Sequence, residues 1–146
     1  MNPVAAAPPA ACNGVVNTNR QADSGGQRPV FVLHEHQKPR HHFDLRLERD
    51  GVLKSWAVPK GMPTSTGENR LAVAVADHDL EHAGYTDADK SIADDGWWEL
   101  DDADDRRFVF TLHGRHGVRR YALIRTGKDW LVHLTRQQPG STAVGP

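Results

Sequence analysis

The sequence is poor in cysteine. It holds one, Cys12, so neither an internal disulfide nor a Cys-x-x-Cys zinc pattern can be built from it. A reducing compartment suits such a chain, and a cytoplasmic location is the expectation. No apolar run approaches the length of a membrane span. The opening MNPVAAAPPAAC has neither a basic n-region nor a continuous apolar h-region, which argues against a secretory signal. Charge of one sign is missing too. Eighteen Lys and Arg against 19 Asp and Glu leave a formal net charge of −1. That excludes a global basic field, so a nucleic-acid partner would need a local cluster of cations. Long capped amphipathic helices are absent, and no internal repeat is visible.

What is there fits one domain with a modest core: 146 residues, 38% of them hydrophobic. Residues 1–28, rich in Ala, Pro, Asn, Gln and Gly, read as a disordered arm, and 137–146 as a disordered tail. The folded part is expected over 29–136. Short apolar or alternating runs mark strands at Val30–Leu33, Phe43–Arg49, Leu53–Val58, Leu71–Ala76, Trp97–Leu100, Phe108–Leu112, Tyr121–Ile124 and Trp130–Leu134. About eight short strands predict a small β-barrel or sandwich.

Asp50-Gly51 between two alternating runs is a strong type I′ hairpin signal. Pairing Arg49 with Val52 sets Asp44 opposite Ala57, Leu45 opposite Trp56 and Arg46 opposite Ser55. One face then carries Phe43, Leu45, Leu47, Trp56 and Val58. The other carries His42, Asp44, Arg46 and Glu48, with small neighbours that leave space above them.

Nine histidines are many for this length, and several fall in one window. Two imidazoles and a carboxylate suit a divalent ion of the Mn, Fe or Zn type. His42 and Asp44 share a face, and His36, across the Lys38-Pro39 turn, is placed to fold back as a third ligand. Arg46 beside them can grip a phosphate with paired hydrogen bonds. His41 points the other way and is not counted. The plainer alternative is a solvated strand face, with Glu48 an ordinary surface charge.

Two stretches carry a resemblance: HQKPRHHFDLRLE from His36 to Glu48, and DGVLKSWAVPKG from Asp50 to Gly61. They resemble the 3′-phosphoesterase domain of bacterial DNA ligase D. The likeness continues through Arg70-Leu-Ala-Val and Asp77-His78. It resumes at Phe110–Gly114, Tyr121–Arg125 and Asp129–Leu131. The resemblance implies a compact antiparallel β-barrel with long loops and a manganese-dependent phosphoesterase. Such enzymes trim a terminal ribonucleotide from a primer end and then remove the 3′-phosphate left behind. By that pattern His36, His42 and Asp44 hold the metal, Arg46, Arg70 and His78 contact or activate the phosphate, and Lys60 is a further phosphate contact. The partners implied are DNA or RNA-ended DNA 3′ termini, with ligase, polymerase or end-binding proteins expected as separate chains, and no membrane.

The pattern departs at three places. Ala76 stands where the family usually has an acidic residue, with Asp77 and Asp79 as substitutes nearby. Gly84–Gly96 lacks the family's Gly-rich segment. The arm offers only Arg20 and Asp23 for its N-terminal charged residues. The Asp-rich 87–105 stretch reads as solvated loop charge. Of Trp97 and Trp98, one should be core. Arg115, Arg119, Arg120, Arg125 and Lys128 form a basic set suited to a nucleic-acid backbone or to ordinary turns. Two other functions therefore stay open: a catalytically impaired module that binds DNA ends or repair partners, and a small metal- or phosphoester-binding barrel without a nucleic-acid role.

Overall fold

The computed structural model describes residues 28–139. The arm before Arg28, with Cys12, Arg20 and Asp23, and the tail beyond Pro139 lie outside the described residues. Eight strands follow in order: β1 (Val30–His36), β2 (His42–Arg49), β3 (Val52–Val58), β4 (Asn69–His78), β5 (Lys90–Ala103), β6 (Arg107–Gly114), β7 (Gly117–Thr126) and β8 (Asp129–Leu134). A 3₁₀ turn, Leu80–Gly84, interrupts the connection from β4 to β5. Among the described residues no helix is long and apolar enough to cross a membrane.

The strands close into an antiparallel barrel in the order β1-β2-β3-β4-β8-β7-β6-β5, with β5 returning to β1. It is two four-stranded meanders joined at two seams, β4–β8 and β1–β5. Alternation along the strands supplies the interior. Phe31, Leu45, Leu47, Val58, Ala72, Trp98, Phe110, Leu123 and Val132 form the core, each less than 5% exposed. Trp98 is the core member of the tryptophan pair and donates its indole N–H to Glu48 O. Trp97 stacks on His113 at 3.7 Å, with the Arg28 guanidinium 4.0 Å from its centroid.

The β2–β3 hairpin has the register read from the sequence, Arg49 against Val52 through Phe43 against Val58. Asp50 (φ 57°) and Gly51 (φ 83°) both sit at positive φ, as a type I′ turn demands. The Lys38–Pro39 peptide joining β1 to β2 is cis. β5 extends much further than Trp97–Leu100. It starts at Lys90 and absorbs Asp94 and Asp95, whose composition predicts a solvated loop. Those carboxylates are engaged: Asp94 accepts from Arg115 N and Asp95 pairs with the Arg115 guanidinium, while Asp101 accepts from Thr111 and Arg120. Arg115 and Arg120 are therefore not free members of the basic set. Gln138, at the start of the tail, bonds both backbone groups of Arg120.

Candidate metal and phosphate site

The alternation that sends Leu45 and Leu47 inward sends His42, Asp44 and Arg46 to the outer face of the barrel. The β1–β2 register puts His36 opposite His42 and His34 opposite Asp44 on that same face. His36 arrives as a cross-strand partner, not by a loop reaching back. The connection from β4 to β5 must travel from beside β3 to beside β1. Its 80–84 turn lies against β1 and β3, so it roofs this outer patch.

His36, His42 and Asp44 each offer a ligand atom, all within 4.8 Å of one another. His42 Nε2 lies 3.3 Å from Asp44 Oδ1, and His36 Nδ1 lies 3.7 Å from Asp44 Oδ2. His42 Nδ1 bonds Arg40 O at 2.8 Å, which places the ring proton there and leaves Nε2 with its lone pair toward the group. Two imidazoles and one carboxylate in this arrangement fit a divalent ion of borderline character.

Arg46 is 2% exposed. Its Nη2 donates to Asp44 at 3.3 Å, its Nη1 to Ser55 Oγ at 2.9 Å and its Nε to His34 Nδ1 at 3.2 Å. The space expected above Ser55 is thus filled by Arg46 itself. Three of its five N–H groups are used, and one on each Nη remains for a ligand. Burial lowers the Arg46 pKa and Asp44 opposes that fall; the guanidinium stays charged. His34, fully buried, accepts from Arg46, so its Nε2 carries the proton and donates to Tyr85 O at 2.9 Å. That bond ties the roof to β1. Burial drives the His34 pKa down to about 4, and Arg46 and Lys90 add to the fall, so the ring is neutral.

His78 joins the outer face through a register shift. Ser55 pairs with Val75 but Leu53 with His78, so one extra β4 residue intervenes. Its ring stacks on His82 at 4.4 Å, and burial, then Arg46 and Lys90, lower its pKa. Glu48 accepts from Val30 N, and burial raises its pKa; it anchors the start of β1 and is not an ordinary surface charge. His41 pairs with Glu35 at 2.7 Å, away from the group.

Arg70 and Lys60 are not brought into this group. Arg70 pairs with Val132 on the inward phase of β4, at the barrel mouth. Its guanidinium bonds the Lys60 and Gly61 carbonyls and Glu68, and the Lys60 side chain is exposed on that rim. Of the two candidates to replace a carboxylate at Ala76, Asp77 is paired with Lys54 at 3.1 Å, whereas Asp79 lies beside His78 on an open depression. Sequence reading missed His34, His82 and Lys90. His34 was legible as the i−2 companion of His36, and His82 as a turn-spaced companion of His78. Lys90 gave no signal.

The profile of the family described as DNA ligase D 3′-phosphoesterase domain matches residues 34–125. The multifunctional non-homologous end joining protein LigD of Mycolicibacterium smegmatis is 44% identical over 134 residues, covering 77% of this chain and 18% of the relative. The corresponding DNA repair protein of Mycobacterium tuberculosis H37Rv is 42% identical over 127 residues (77% and 17%). That of Pseudomonas aeruginosa is 39% identical over 127 residues (75% and 15%). The chain therefore spans less than a fifth of the length of these relatives.

Proposed function

The chain belongs to the DNA ligase D 3′-phosphoesterase domain family, and from that premise we propose that it is a metal-dependent 3′-end phosphoesterase of DNA break repair. Its substrates on this reading are DNA or RNA-ended DNA 3′ termini, and its working partners are ligase, polymerase or end-binding proteins at the same break. The single observation that carries the proposal is the His36, His42 and Asp44 group sharing its carboxylate with the Arg46 guanidinium.

That arrangement joins a cation site to an anion site across one side chain. His36, His42 and Asp44 would hold the ion, for which Mn²⁺ is the proposed identity. When bound, such an ion polarises a phosphoryl oxygen and lowers the pKa of a water nucleophile. Arg46 would present its two remaining N–H groups to the phosphate oxygens, where fixed donors in a dry site stabilise developing charge. In the 3′-phosphatase step the water oxygen attacks phosphorus and the P–O3′ bond breaks. One water proton ends on the 3′-oxygen and the other stays with the released phosphate. His78, neutral near pH 7 because its pKa is lowered, would donate its N–H to the leaving oxygen as a hydrogen bond. Arg70 would fix the Lys60–Gly61 backbone through its carbonyl contacts and so set where Lys60 meets the strand.

A primer–template ending in a 3′-phosphate, incubated with Mn²⁺, should yield the 3′-hydroxyl product. EDTA should abolish it, and His42→Ala should cut the rate by at least about a hundredfold, the upper end of the effect of disturbing a metal site's supports. Turnover that survives both would overturn the reading. Ala76, with Asp77 committed to Lys54, favours a second reading: a module that holds 3′-phosphate ends without hydrolysing them. Tight binding without product under any divalent ion is its outcome in the same assay.

A further inference from the structure

Two cations are buried on the outer face beneath the β4–β5 connection, and they are partnered very differently. Arg46 has the Asp44 carboxylate. Lys90, 8% exposed, has none: among the described residues no carboxylate lies within ion-pair distance of its ammonium. Its Nζ donates to His82 Nε2 at 3.0 Å and lies 5.5 Å from the Tyr85 ring centroid. Lysine has only donors, so His82 accepts with a neutral ring.

Lys90 faces this way because of backbone geometry. Leu33 pairs with Asp94 but His34 with Ile92, so one β5 residue is extra. Without that shift the alternation from Trp98 would send Lys90 toward the interior phase. With it, Lys90 lies opposite His36 in the register, on the same face as His34, Asp44 and Arg46. A second shift, in β4, turns His78 to the same face. The ammonium is buried beside a guanidinium and three neutral imidazoles, and the carboxylates that act on it, Asp44 and Asp87, do so from beyond ion-pair distance, so no contact anion offsets its desolvation. Burial and then Arg46 push its pKa down, against the opposing pull of Asp44 and Asp87. An open depression lined by His78, Asp79, Glu81, His82 and Tyr85 reaches the His82 ring that Lys90 bonds, though Lys90 itself does not line it.

We propose that Lys90 is a direct ligand of the substrate phosphate and biases the site toward a 3′-phosphomonoester over a phosphodiester, with His82 as the positioning residue that holds the ammonium. This rests on the phosphoesterase reading of the same site and deepens it. The attraction of a fixed cation scales with ligand charge. A phosphomonoester carries about −1.5 to −2 near pH 7, whereas a diester carries a single charge.

The test compares wild type, Lys90→Met, Lys90→Gln and His82→Gln, all with Mn²⁺. Fluorescence anisotropy follows binding of labelled duplexes ending in 3′-phosphate or 3′-hydroxyl. Steady-state kinetics follow the 3′-phosphate and the 3′-ribonucleotide ends. Loss of a charge-assisted bond should weaken 3′-phosphate binding in Lys90→Met about ten- to a hundredfold, leave 3′-hydroxyl binding unchanged and raise the monoester KM more than the diester KM. In His82→Gln the amide oxygen can accept the same bond, so most of the affinity should remain. Lys90→Gln repeats the test should Lys90→Met fail to melt cooperatively. Folded Lys90 variants that bind both ends like wild type, or lose both ends equally, overturn the proposal. The two readings fail separately. Lys90-dependent recognition of 3′-phosphate without turnover sinks the phosphoesterase reading alone. Robust turnover with unchanged KM values in a folded Lys90 variant sinks the Lys90 assignment alone.

Discussion

Neutral histidines do much of the structural work at the residue scale. His34 bridges the Arg46 guanidinium and the Tyr85 carbonyl, and His82 accepts from the Lys90 ammonium; the bonds from Arg46 and Lys90 each need an unprotonated ring nitrogen. Burial first, then Lys90 and Arg46, lower the His82 pKa from 6.5 to about 4. The groups facing it are His34 from β1, Arg46 from β2, His78 from β4, Lys90 from β5 and Tyr85 from the connection. Between pH 6.5 and 4 the unfolded chain binds the proton that the folded chain refuses. The stability this ring contributes is therefore complete above pH 6.5 and is lost progressively as pH falls toward 4. Urea midpoints measured at pH 7, 6 and 5 should drop more steeply for wild type than for His82→Gln. Parallel pH slopes would contradict the assignment. The sequence made His36, His42 and Asp44 legible because side-chain period and a short turn act locally. Lys90 was illegible because its orientation depends on a bulge that only pairing with β1 creates.

Element by element, legibility follows how local the determining interaction is. The β2–β3 hairpin was readable residue for residue, since Asp50-Gly51 fixes the turn and the turn fixes the register. The first half of β5 was not, because Asp94-Asp95-Gly96 carries the composition of a loop. Its strand character comes from partners distant in sequence: Arg115 engages both aspartates, and Phe31 and Gly114 flank Gly96. Gly96 is needed for contact and not for turn geometry. A Cβ there would run into the His113 carbonyl oxygen, a backbone atom that cannot swing aside. Gly96→Ala should therefore destabilise the fold by about 1–3 kcal/mol through overpacking, read as a lowered urea midpoint at unchanged m-value. An unchanged midpoint would show that the β5–β6 pairing relaxes without cost.

On the scale of the whole molecule, the barrel's inside and outside divide the labour. The inner face is an apolar core that closes the sheet, and the outer face of β5-β1-β2-β3 carries the polar group, roofed by the one connection that cannot be a tight turn. Eight strand signals announced a barrel or sandwich, and the family resemblance pointed to the barrel. Which strands meet at the seams is set by long-range packing that no local pattern encodes. The same division separates Arg70 from the polar group: it shares the phase of core residue Ala72 on β4 and bonds the Lys60 carbonyl. The central claim is that His36, His42 and Asp44 together hold one divalent ion. Electron paramagnetic resonance during Mn²⁺ titration tests it most directly. Wild type should remove the free-ion signal to one equivalent per chain, and Asp44→Asn and His42→Ala, shown folded by cooperative melting, should leave it. Equal uptake by wild type and both variants would contradict the account.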